Sequence, residues 1–161
     1  MIQTKKTFHV HIRWMVRRDM PNVLAIENES FEYPWTEDNF VMVLRRRNCI
    51  AMVAEVDERI VGFMVYDLYK NNLQLRNIAV DPDCRYRGVG KSMIEKLRSK
   101  LVEGRRSRIV MKVRETNLNG QLFLKACGFR CDGILPSSGD FPEAQPDDEP
   151  GYLFVMRFRR T

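Results

Sequence analysis

Along this chain, stretches in which apolar residues recur at every second position give way to stretches in which they recur every third or fourth, and the two periods divide it into strands and helices. Ile12 to Val16 predicts a first strand, and Asp19 with Pro21 predicts the cap and first turn of a helix through Val23, Leu24, Ile26 and Phe31. Thr36, followed by Glu37 and Asp38, opens a second helix carrying Phe40, Val43 and Leu44. Three strand patterns follow, at Ile50 to Val56, Ile60 to Tyr69 and Leu73 to Val80. The polar turns between them, Asp57-Glu58-Arg59 and Lys70-Asn71-Asn72, make them an antiparallel meander. From Val89 the period is helical again, with Met93, Ile94, Leu97 and Leu101, and the helix is expected to end near Gly104. Arg108 to Arg114 reads as a strand, Thr116-Asn117 caps a helix carrying Leu118, Leu122, Phe123 and Ala126, and the last strands run from Gly128 to about Leu135 and from Tyr152 to Arg159. Between these two strands, residues 136–150 hold Asp140, Glu143, Asp147, Asp148 and Glu149 among prolines without any period, which predicts a mobile acidic loop. The order β-α-α-β-β-β-α-β-α-β-β describes an α/β (α+β) protein with a mixed, mostly antiparallel sheet of about seven strands flanked by about four helices.

A length of 161 residues with 44% hydrophobic content suits one domain over 1–161, with 1–10 as an N-terminal extension. No apolar run is long enough to span a bilayer, and Met1-Ile2-Gln3-Thr4-Lys5-Lys6 lacks the apolar stretch of a signal peptide, so no membrane partner and a cytoplasmic location are expected. Cys49, Cys84, Cys127 and Cys131 show no Cys-x-x-Cys spacing, and His9 and His11 are the only imidazoles, so the thiols are read as reduced and no metal site is expected. The net charge of +6 calls for an anionic partner without choosing one. Arg45-Arg46-Arg47 closes a predicted helix, where cations complement the dipole, and nucleic-acid binding is not inferred from it.

Candidate chemistry concentrates between Asn77 and Ser92. An apolar strand stops at Asp81-Pro82, a basic loop with Gly88 and Gly90 follows, and a helix begins. Free N–H groups in that helix's first turn, its dipole, and Arg85 and Arg87 beside it form an anion site, which glycines without Cβ let a phosphate approach closely. A P-loop would need glycine where Arg85 stands, and a dinucleotide fingerprint would need it at Met93. What remains is Arg-x-x-Gly-x-Gly behind Asn-Ile-Ala-Val-Asp-Pro, and this resembles the coenzyme A pyrophosphate loop of the GNAT acetyltransferases.

Within that superfamily the chain looks like the RimI-type protein N-terminal acetyltransferases, which modify the terminal alanine of a ribosomal protein. The matching features are Pro34-Trp35, Ile78-Ala79-Val80, Arg85 to Gly90, Val113-Arg114 with Asn117, Gly128-Phe129 and the closing Met156. The resemblance implies the GNAT fold and acetyl-CoA as cofactor. Ile78, Ala79 and Val80 would offer main chain to pantetheine and thioester, Tyr86, Arg87, Gly88, Val89, Gly90 and Lys91 with Arg85 would hold the pyrophosphate, and Asn117 would touch the cofactor. It also implies direct attack of a free amine on the thioester, with a Glu base and a Tyr acid at the positions that hold Lys112 and Leu124 here. Replacement bases are sought at Glu27, Tyr33 and Tyr152, and also at Glu29, Asp67 and Tyr69; alternatively, positioning alone suffices. Tyr33 and Trp35 are read as an acceptor wall, against the alternative of aromatics plugging a helix junction. The acceptor is expected to be a protein N-terminus, with a small-molecule amine as the alternative. A non-catalytic acyl-CoA-binding module is the alternative of a different class.

Overall fold

A computed structural model describes residues 8–136 and 149–159. The segment His11–Trp14 is β1, Met20–Ser30 is α1, Glu37–Leu44 is α2, Cys49–Val56 is β2, Arg59–Leu68 is β3 and Leu73–Val80 is β4. They are followed by α3 at Val89–Arg98, β5 at Arg108–Arg114, α4 at Leu118–Ala126, β6 at Arg130–Leu135 and β7 at Gly151–Arg157. The strands form one sheet in the order β1-β2-β3-β4-β5-β7-β6, antiparallel throughout except between β4 and β5. This is the mixed seven-stranded sheet with four helices that the periodicities predict. Asp140, Glu143, Asp147 and Asp148 of the expected acidic loop, and residues 1–7 of the expected extension, lie outside the described residues.

Local chemistry sets the helix starts. The Thr36 hydroxyl accepts the N–H of Asn39 at 3.1 Å while the Asn39 side chain accepts that of Thr36 at 2.9 Å, so α2 has a reciprocal cap. Asp19 stands at the N-cap position of α1 with Pro21 in the first turn, as expected, but its side chain makes no capping bond. Its carboxylate takes two bonds from the Arg13 guanidinium, at 2.7 and 2.9 Å, and one from the Val16 N–H at 2.8 Å, tying β1 to the start of α1. The competing arginine holds the Asp19 carboxyl below its usual range.

Helices cover both faces of the sheet. Val23, Ile26 and Phe40 from α1 and α2 bury themselves against Val53, Phe63 and Val65, and Met93, Ile94, Leu97 and Leu124 from α3 and α4 bury themselves against Leu75, Ile109 and Phe154. Two expectations about α3 and α4 fail. The former ends at Arg98 rather than near Gly104, which instead sits at positive φ in a separate turn closed by the Val102 N–H on the Arg106 carbonyl. In α4, Leu118 and Leu122 are exposed and Leu124 is the buried residue. A nine-residue helix offers the sheet little more than two turns, and the turn it offers is the one where the Leu124 carbonyl accepts the Phe129 N–H.

Candidate active site

The two parallel strands set the geometry of the site. β4 and β5 pair only from Leu73–Ile109 to Leu75–Met111, although both strands continue, to Val80 and Arg114. Past that short ladder they part, and the alternate main-chain N–H and C=O groups along the facing edges have no strand to bond. A β-bulge at Arg76 marks the point of parting: Tyr66 opposes Leu75, Val65 opposes Asn77, and Arg76 is the extra residue. The bulge also swaps faces. Leu73 and Leu75 pack under α3, whereas Ala79, an even number of positions later, packs under α1.

At the far end of the parted strands the chain turns through a 3-10 segment, Pro82–Cys84, steadied by the Asp83 N–H on the Asp81 carboxylate at 2.9 Å. Tyr86 and Gly88 then adopt left-handed conformations, with φ of 62° and 88°. Gly88 is the residue before α3, and its carbonyl accepts the Ser92 N–H at 2.9 Å, so the N–H groups of Val89, Gly90 and Lys91 point out of the helix start. The Tyr86 ring is 91% exposed. Arg85 is fixed: its Nε donates to the Val80 carbonyl and a terminal nitrogen to the Ser30 hydroxyl, both at 3.1 Å, pinning the loop to β4 and α1. The Arg87 guanidinium lies 5.0 Å over the Phe8 ring. A Cβ on Gly90 would fall 2.8 Å from the Phe123 ring, so helix packing requires this glycine whatever its part in ligand approach. Asn117, before α4, spends its Oδ1 on the Gly120 N–H at 2.9 Å.

The residues read as catalytic or acceptor-binding do not converge. Glu27 is 1% exposed. Its two carboxylate oxygens accept from the Asn77 amide at 3.0 and 2.7 Å, and one also accepts the Trp35 N–H at 3.3 Å. Burial raises its pKa to about 7 despite these bonds. Closed in this way it cannot meet an acceptor directly. Trp35, at 3% exposure, packs edge-on to Phe40, so the helix-junction reading applies to it and an acceptor wall is left to Tyr33. The Arg114 guanidinium covers the Tyr33 ring at 4.6 Å and also pairs with Glu149, which in turn accepts from Thr116. Tyr152 opposes Val113 and joins the cluster under α3 and α4, on the other face of the sheet from Arg114. Asp67 is fully buried between Arg46 and Arg76, with the Tyr69 hydroxyl at 3.4 Å. Glu29 stands exposed on α1.

Lys112 occupies the vertex of the parted strands, facing away from Met111 and Val113; desolvation, then Arg76, lowers its pKa. Leu124 is 1% exposed in the core. Burial pushes the Cys127 thiol up to about 11 and raises that of Cys84, so neither is activated as a nucleophile. The sequence reading missed Asn77 as the partner of Glu27, Ser30 as that of Arg85 and Phe123 as the neighbour of Gly90. Asparagine inside an apolar strand was the one available signal.

The model of the acetyltransferase (GNAT) family matches residues 20–129. A ribosomal protein bS18-alanine N-acetyltransferase of Salmonella typhimurium is 28% identical over 111 residues, covering 69% of this chain and 74% of the relative. The crystal structure of the Escherichia coli ribosomal-protein-S18-alanine N-acetyltransferase superposes with a TM-score of 0.76 at 20% identity, over 95% of this chain and 96% of that one. An acetyltransferase from Bacillus anthracis, solved in complex with acetyl coenzyme A, gives 0.70 at 21% identity over 96% and 100%. Parted parallel strands with a glycine-lined helix start at their mouth, on a chain that matches the family model over more than half its length, identify this protein as a member of the GNAT family of acetyl-CoA-dependent N-acetyltransferases.

Proposed function

We propose that the protein acetylates the free amine of a protein N-terminus, by direct attack of the amine on acetyl-CoA within a ternary complex. The observation that carries this reading is the parting of β4 from β5 after Leu75–Met111, with the start of α3 at its mouth. In this reading the N–H groups of Val89, Gly90 and Lys91, with the charges of Arg85 and Arg87, receive the pyrophosphate, and Tyr86 lies along it. The main-chain groups between Ile78 and Val80 that face the gap, other than the Val80 carbonyl held by Arg85, align the pantetheine, and an N–H among them donates to the thioester oxygen as negative charge develops there. Asn117 borders the same cleft. The amine arrives on the face that carries Tyr33 and Arg114. Its nitrogen bonds to the carbonyl carbon as the C–S bond breaks; the thiolate leaves with a proton, and the new amide gives one up.

Among the described residues, Glu27 and Asp67 are enclosed and Glu149 is bound by Arg114, so no side-chain base is assigned and the amine enters already neutral, its proton leaving through water. Orientation carries the rate, an effect worth roughly 7–11 kcal/mol in well-aligned cases. The relatives' action on a ribosomal protein's terminal alanine supports a peptide acceptor. The test is thioester turnover over a panel of peptides with free N-termini, N-blocked lysine peptides, polyamines and aminoglycosides. A peptide beginning with a small residue is expected to turn over fastest, at a rate that climbs with pH as the amine deprotonates. Faster turnover of any small amine overturns the acceptor assignment, and binding of acetyl-CoA without turnover of any member supports a binding module instead.

A further inference from the structure

The charge of this protein is segregated along the sheet. The end opposite the start of α3 is closed by four segments, 45–48, 67–72, 98–108 and 157–159, which the fold brings together. The Leu68 N–H bonds the Asn48 carbonyl at 2.7 Å, Arg106 Nε bonds the Tyr69 carbonyl at 2.8 Å, and the Phe158 N–H bonds the Ser107 carbonyl at 2.6 Å. These segments hold eleven Lys and Arg against Asp67 and Glu103, a net +9, whereas the whole chain carries +6, so everything else sums to −3; Arg98 and Arg157 pair with Glu95 and Asp132 just outside the segments, which leaves +7 at this end. Asp67 is fully buried, and Arg45, Arg47, Lys70, Arg105, Arg108 and Arg157 are exposed. Coenzyme A does not account for this pole, because its phosphates belong at the other end of β4. Leu135 and Gly151 pair with each other at the other end as well.

We infer that this pole is a docking surface for structured RNA, contacted through its phosphate backbone. Nine of the eleven cations are arginines, whose planar fork matches phosphate oxygens. At this end β3, β4, β5 and β7 stand side by side, and strands about 4.8 Å apart make a charged row about 15 Å wide, broad enough to meet several phosphates. Val102 is the one exposed large apolar side chain in these segments, so a hydrophobic anchor for a protein partner is lacking. Tyr69 and Phe158 are half-buried, so an open stacking platform for single-stranded bases is lacking as well. The surface consists of short turns and strand ends with no helix to enter a major groove, which suits the shape and phosphate recognition typical of A-form duplexes. The inference does not depend on which amine is acetylated.

The probe is a fluorescently labelled RNA hairpin of about 20 base pairs, a little longer than the span of a typical double-stranded RNA-binding domain. Its anisotropy is measured with the full chain between 50 and 200 mM salt. Binding that weakens steeply with salt is expected. The triple variant Arg105→Gln/Arg108→Gln/Arg157→Gln is expected to bind at least tenfold more weakly at about 100 mM salt, with the logarithmic salt slope lowered by about one for each phosphate no longer neutralised. Its acetyl-CoA affinity should stay at the wild-type value, which shows that the fold is intact. The variant Arg59→Glu/Ile134→Glu makes the same change in net charge at the opposite end, and should bind RNA as wild type does. Absence of binding at 50 mM salt, equal losses in the two variants, or tighter binding to a DNA duplex or to polyglutamate would overturn the inference.

Discussion

Glu27 gives the protein a stability profile that runs against the usual carboxylate trend. The group titrates near 4.5 in an unfolded chain and at about 7 in the fold, because burial outweighs the bonds from Asn77 and Trp35. The folded state therefore binds this proton more tightly than the unfolded one, and between those two values it holds more of it. Stability must then fall as pH rises through that window, and the loss is complete once pH passes the folded value. At 1.36 kcal/mol per pKa unit the full loss is on the order of 3 kcal/mol. Solvent screening should reduce it little, since the side chain is enclosed by α1, the turn at Trp35 and β4. Glu27→Gln removes the titration. Its amide oxygen can retain the Trp35 bond and one Asn77 bond, while its NH2 meets a donor 2.7 Å away unless Asn77 turns over, at a cost of about 1 kcal/mol. The assay is urea denaturation of both proteins at pH 5, 6, 7 and 8. The native protein should be the more stable at pH 5, and the difference should shrink or reverse by pH 8, changing by about 3 kcal/mol in all. Profiles that stay parallel within about 0.5 kcal/mol would refute the argument, whatever their offset.

Two further substitutions separate packing from chemistry. Gly90→Ala places a methyl group against Phe123 and should destabilise the protein by about 1–3 kcal/mol without any ligand present, measured by thermal unfolding; pairing it with Phe123→Ala should recover part of the loss. Lys112→Glu restores a carboxylate at the vertex of the parted strands, beside Arg76, and should raise kcat/KM for the preferred peptide by at least about tenfold, on the low side of what general base help provides. Leu124→Tyr is expected to destabilise the fold, because that side chain is enclosed in the core under α4, so an unchanged rate in a folded Lys112→Glu variant is the cleaner refutation.

The sequence alone determined whatever depends on local period and on residues that act where they stand. Alternation and turn chemistry placed the seven strands, Thr36 capped its helix as its type demands, and Asp81-Pro82 before Gly88 and Gly90 located the helix start with its outward N–H groups. Family motifs written in consecutive residues were legible for the same reason. Only the tertiary structure decided which side chains the fold consumes. Leu73, Leu75, Asn77 and Ala79 look like one face of a strand, and a single bulged residue divides them between two. Glu27 and Asn77 are fifty positions apart, and no local rule joins them. Trp35 keeps the residue type expected of a binding site, yet its indole lies in the core; Arg85 stays beside the helix start, its guanidinium held there by Val80 and Ser30. The basic pole was invisible for a further reason. Its four segments are scattered along the chain, each one an ordinary solvated turn when read alone, and a net charge has no direction until a sheet gives the chain two ends.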